Sequence, residues 1–168
     1  MILINSIQGN INTVDIAARG VDPLPLEWFE TGKKIMRRHT RNGVEIGWKV
    51  VKGLPVLQDG DILWMDEKVV IAVSILPAAA IVLTPVTMLD MATICYEIGN
   101  KHLPLFIVNE EVLVPYEDPL FRWLEAKGYA PKQEQRVLTN MLRSNVQPHE
   151  HGSGSTLFSK ILQLTTKS

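Results

Sequence analysis

The sequence predicts an α+β fold: an all-β N-terminal domain over residues 1–76, a βαββαβ domain over residues 77–147, and a flexible histidine-containing tail over residues 148–168. Three observations carry this prediction. Ahead of Pro77, two-residue alternation and tight-turn signals dominate, as in strands joined by hairpins. Beyond Pro77, helical spacing with start and stop signals appears between short apolar runs. From Pro148 the chain passes through Gly152-Ser153-Gly154-Ser155, a composition that stays flexible.

Asn42-Gly43 separates two strand-like runs and is the strongest short hairpin signal, because both central turn residues must accept positive φ. After it, Val44, Ile46, Trp48 and Val50 share one face while Glu45 and Lys49 alternate with them. A turn at Gln58-Asp59-Gly60-Asp61 precedes a second hairpin, in which 62–65 and 69–75 flank the polar Asp66-Glu67-Lys68. Val69 to Leu89 is uncharged and long enough to raise a membrane span. Pro77 in its middle, the interruptions Ser74, Thr84 and Thr87, and Val/Ile clusters on either side suit two buried strands instead. The expected protein is therefore soluble.

Ala80 to Leu83 forms the first strand of the second domain. Thr87 with Asp90 three residues on resembles a capping box. Met88, Met91, Ala92, Cys95 and Ile98 follow helical spacing, and Gly99-Asn100 is expected to end that helix in a left-handed conformation. Leu105 to Val108 and Val112 to Val114 form a hairpin across Asn109-Glu110-Glu111. Asp118-Pro119 caps and opens a second helix, with Leu120, Phe121 and Leu124 inward and Gly128 closing it. Gln133 to Thr139 completes a ferredoxin-like order.

The 168 residues include 17 Lys+Arg against 18 Asp+Glu, so no strong field exists to attract nucleic acid or anionic lipid. A single cysteine and the absence of a secretory-type start at MILINSIQGN point to a reducing, cytoplasmic setting. GxSxG, P-loop, HExxH and CxxC motifs are all missing, and a non-enzymatic role is expected. Cys95 and His102 are no nucleophile-base pair, since a continuous helix would hold them ~10.5 Å apart. Cys95 reads as a small packing residue.

Three of the four histidines, His102, His149 and His151, fall late in the chain. By residue type alone, His149-Glu150-His151 is either a weak metal motif or a polar tail, and His102 is a cationic group near a helix end. Lys33, Lys34, Arg37, Arg38 and Arg41, with His39 among them, form either a solvated strand edge or a docking face for an acidic protein. Leu157, Phe158, Ile161, Leu162 and Leu164 make a short apolar tail to which no role is assigned.

The run ICYEIGNKHLPLF, Ile94 to Phe106, resembles the UreE family of urease accessory proteins, the nickel metallochaperones that help to assemble the urease metallocentre. Further matching phrases, in order, are LEWFETGKKIMRR, GVEIGW, GDILW and EVLVPYEDPL, and the resemblance extends from about Leu24 to His151. It implies a β-domain likened to a chaperone peptide-binding domain, followed by a ferredoxin-like metal-binding domain. It also implies that His102, after Gly99-Asn100-Lys101, is the principal metal ligand, that the second domain forms a homodimer uniting His102 with its twin, and that His149 and His151 complete the coordination of Ni(II). Zinc or copper would also bind such imidazoles in vitro. The implied partners are the urease accessory GTPase and the urease apoprotein complex. Many relatives carry arginine in place of Lys101, and some end in a long histidine run that is missing here, so storage of many ions is not expected. A competing reading is a protein-binding adaptor of the urease maturation complex, with metal binding incidental.

Overall fold

A computed structural model describes residues 1–49 and 56–142. Its first portion holds β1 (Ile2–Ile4), β2 (Gly9–Asn10), β3 (Gly20–Leu26), β4 (Ile35–His39), β5 (Glu45–Lys49), β6 (Asp61–Met65) and β7 (Val69–Ile75). They form two sheets, β1-β5-β4 and β2-β6-β7-β3. β4 and β5 pair antiparallel across the expected hairpin, but only Gly43 takes positive φ, at 84°. The turn is wider than a two-residue one. Thr40 closes it by accepting the Gly43 N–H on its carbonyl at 3.0 Å and the Val44 N–H on its hydroxyl at 3.0 Å. Buried Asp22 secures the same loop by accepting the Asn42 N–H at 3.1 Å. Ile46 and Trp48 are buried as expected, while Val50 lies outside the described residues.

The second hairpin, β6 to β7, is antiparallel, and Asp66 shapes its turn by accepting the Lys68 and Val69 N–H groups, each at 2.7 Å. Those two backbone bonds hold its carboxyl below the ordinary range. β1, β2 and β3 were not anticipated. β3 carries Pro23 and Pro25, residues that interrupt a central strand, but it lies at a sheet edge, parallel to β7. The Pro23 carbonyl accepts Arg41 N–H at 2.9 Å on the side away from β7, so the missing proline donors cost no ladder bond. Between the two sheets lies a core that includes Leu24, Leu26, Ile46, Trp48, Leu63 and Ile71.

The second portion contains β8 (Ala78–Leu83), α1 (Met88–Gly99), β9 (Phe106–Val108), β10 (Glu111–Pro115), α2 (Asp118–Ala126) and β11 (Lys132–Arg136). The sheet order β11-β8-β10-β9, antiparallel throughout, is the ferredoxin-like arrangement. Asn109 and Glu110, with φ of 50° and 65°, make the β9–β10 turn, and Glu111 belongs to the strand. α2 is N-capped by Glu117 rather than by Asp118, with proline in its first turn, and Gly128 closes it with φ 86°. Leu120 and Leu124 are its buried residues, and Phe121 packs beside them half-buried.

Ile81, Leu83, Ile94, Ile98, Val112 and Leu124 form the core between sheet and helices. The opposite face of this sheet is also covered. After β11 the chain crosses it, burying Leu138 against Ala80, Val82, Phe106 and Leu113, and Trp28 packs edge-on to Phe106 with ring centroids 5.5 Å apart. Among the described residues, no helix is long and apolar enough to cross a membrane.

Candidate metal centre

α1 positions His102. At its start, the Thr87 hydroxyl accepts the Asp90 N–H at 3.1 Å while the Asp90 carboxylate accepts the Thr87 N–H at 3.0 Å, a complete capping box. Ile94 and Ile98 are the buried residues of the helix, with Met91 and Cys95 partly buried beside them. Met88 and Ala92 share the expected period but face outward. Together with Val86, Leu89 and Tyr96, exposed by 90%, 75% and 71%, Met88 at 84% makes an open apolar surface.

The helix does not end on a left-handed Gly99-Asn100. Asn100 stays right-handed at φ −64°, and the reversal falls on His102 at φ 56°. Lys101 N–H donates to the Ile98 carbonyl at 3.0 Å and His102 N–H to the Gly99 carbonyl at 2.9 Å, tightening the last turn. Pro104 accounts for the position of the reversal: it pushes Leu103 toward extended backbone, so the turn must be complete one residue earlier. His102 is exposed, and among the described residues no group of three or more His, Cys, Asp or Glu stands ready to hold an ion. His149 and His151 lie outside the described residues, as does the apolar segment 157–164.

Two neighbours of the site were not foreseen. Lys101 Nζ sits 4.1 Å from the centroid of the Trp123 ring on α2. The chain returning after β11 pairs with the start of β9, and Leu142 N–H donates to the Leu105 carbonyl at 2.8 Å. The described chain therefore ends beside a residue three positions from His102. Leu138 and Met141 were the signal for that return, since apolar residues past a strand need a surface to cover.

Cys95 Sγ lies 3.9 Å from Met91 Sδ, and burial pushes its thiol up from the ordinary value, as suits a packing residue. The basic hairpin is partly neutralised within the chain. Arg37 pairs with Glu45, and both Lys33 and Arg38 pair with buried Glu30. His39 is exposed.

Comparison with known proteins gives a consistent result. The model of the UreE urease accessory protein N-terminal domain matches residues 4–76, and that of the C-terminal domain matches residues 78–156. A urease accessory protein UreE from Flavobacterium johnsoniae is 46% identical over 162 residues, 96% of this chain and 98% of that protein. One from Haemophilus influenzae is 38% identical, covering 85% of this chain and 80% of its own length. Another from Acetivibrio thermocellus is 36% identical, covering 89% and 97%. The chain thus belongs to the UreE family of urease accessory proteins, and it is an accessory protein rather than an enzyme.

Proposed function

We propose that this protein is a cytoplasmic, homodimeric nickel carrier for urease maturation. It holds Ni(II) between the His102 imidazoles of two protomers, aided by His149 or His151, and passes the ion toward the urease accessory GTPase and the urease apoprotein. One observation carries the reading: His102 is presented to solvent at the end of a helix whose outer face is apolar, and among the described residues it belongs to no group of three or more His, Cys, Asp or Glu. A lone imidazole gains a partner when an isologous interface brings its symmetry mate to it. The apolar face of α1 supports such an interface on the helix that leads to His102.

The chain path supports a role for the tail. Leu142 is fixed to Leu105, and His149 follows seven residues later. Seven residues fully extended, at ~3.5 Å each, reach about 25 Å, more than the roughly 11 Å that the three residues from Leu105 back to His102 can span. Ligands brought by such a tether exchange easily, as a carrier requires, unlike those of a closed structural zinc site. Nickel is the cargo implied by the family; imidazoles alone would favour copper. Three cations of the basic hairpin are tied to Glu30 and Glu45, which weighs against the adaptor reading.

Isothermal titration with nickel tests the assignment. His102→Ala should lose most of the affinity, and undiminished binding would sink the proposal. The double variant His149→Ala/His151→Ala should bind more weakly or at lower stoichiometry; wild-type behaviour would remove the tail from the site.

A further inference from the structure

α1 and α2 meet through side chains that match in opposite chain directions. Glu97 faces Lys127, Oε1 to Nζ 3.8 Å, and its Oε2 accepts the Tyr129 hydroxyl at 3.2 Å. Four residues onward from Glu97 stands Lys101; four residues back from Lys127 stands Trp123. These two also meet, ammonium to ring centroid, at 4.1 Å, and Lys127 Nζ lies 5.7 Å from the same ring. Trp123 is packed against the helix-sheet core, so its ring is a fixed surface rather than a swinging one.

We propose that Trp123 is a positioning residue for His102: by holding the Lys101 ammonium on its indole face, it steadies the left-handed turn that carries the imidazole. This rests on His102 being the nickel ligand. The turn needs such support. Its two closing hydrogen bonds are of the short i to i−3 kind, and a residue with a β-carbon disfavours the backbone that His102 adopts. Lys101 shares a peptide with His102, so anchoring its side chain to α2 restrains the rocking of both. Indole is the strongest of the aromatic partners for a cation.

The experiment uses the full-length protein and two readouts, the NMR signals of the His102 ring protons without metal and nickel affinity by titration calorimetry. Trp123→Leu should shift or broaden the ring signals and weaken nickel about fivefold, the size expected for one partly desolvated cation–π contact. In a Lys101→Gln background the same Trp123→Leu change should add nothing, because the pair acts as a unit. Lys101→Arg should preserve both readouts. An equal effect of Trp123→Leu in both backgrounds would reduce Trp123 to core packing and overturn the proposal, as would unchanged ring signals and affinity. If His102→Ala instead binds nickel like the wild type, the ligand assignment is what has failed, and the ring signals then judge the clamp alone.

Discussion

Replacing Glu30 by glutamine should cost this protein about 2 kcal/mol at neutral pH, and much less in acid. Glu30 is 4% exposed, in the short 3₁₀ turn Trp28–Glu30. Its carboxylate accepts Lys33 Nζ at 2.8 Å, the Arg38 guanidinium, and the Glu27 N–H at 3.2 Å. Burial by itself pushes the carboxyl up, but these bonds outweigh it and bring the pKa from 4.5 down to about 2. At roughly 1.4 kcal/mol per tenfold change in proton affinity, that displacement corresponds to about 3 kcal/mol. Lys33 and Arg38 are each 43% exposed, and solvent screening trims the figure to about 2 kcal/mol. Because the folded pKa is the depressed one, the stabilisation is complete above about 4.5 and disappears as pH falls toward about 2. Urea unfolding of wild type and Glu30→Gln at pH 7 and pH 3 measures it directly. The gap between the two proteins should shrink by more than half at pH 3, where the unfolded chain has already taken up the proton. A gap that is the same at both values, or below about 0.5 kcal/mol at pH 7, would show that Glu30 is worth no more than a surface ion pair.

Three other outcomes follow from the same coordinates. His102→Gly should be about 1 kcal/mol more stable to urea than His102→Ala, since only glycine accepts φ 56° without strain; equal stabilities would mean the turn relaxes on substitution. The double variant Lys34→Glu/Arg41→Glu should stay within about 0.5 kcal/mol of wild type, whereas Arg38→Glu, facing buried Glu30, should lose 2 kcal/mol or more, roughly, in the same assay. In the proposed dimer, Tyr96→Glu on the open face of α1 should shift sedimentation from dimer to monomer; a persistent dimer would place the interface elsewhere.

Where the chemistry of a position was local, the sequence was readable. Thr87 with Asp90 needs no tertiary partner to form a capping box, and Asn109-Glu110 needs only two residues that tolerate positive φ. β3 went unanticipated; proline breaks a central strand and suits an edge one, and only the neighbours of a strand decide which applies. The period of α1 gave a helix but not its buried side. Met88, Met91, Ala92, Cys95 and Ile98 fit helical spacing, and the choice of Ile94 and Ile98 as the inner pair depends on where the sheet lies. His102 was singled out through its motif, not its geometry: its left-handed turn lies between the end of α1 and Pro104. Lys101 on Trp123 was invisible, since a contact between two helices 22 positions apart leaves no mark on either helix's own pattern.

The proposed carrier also explains why so little of a metal site is found among the described residues of one chain. A resident structural ion calls for several ligands fixed within the same fold; here the described residues gather no group of three or more His, Cys, Asp or Glu, and His102 stands exposed on a left-handed turn. An ion shared by two protomers must then bind the dimer far better than the monomer, and linkage requires it to strengthen the dimer by the same factor. At one hundred times its dissociation constant, that amounts to about 2.7 kcal/mol. A dimer that existed only with metal would scavenge any divalent ion that joined two imidazoles. The apolar face of α1 offers a way round this, because hydrophobic burial can assemble the pair first and leave the ion to add only its differential affinity. Selection of nickel over copper must then come from geometry and supply, not from the imidazoles, whose intrinsic order runs the other way.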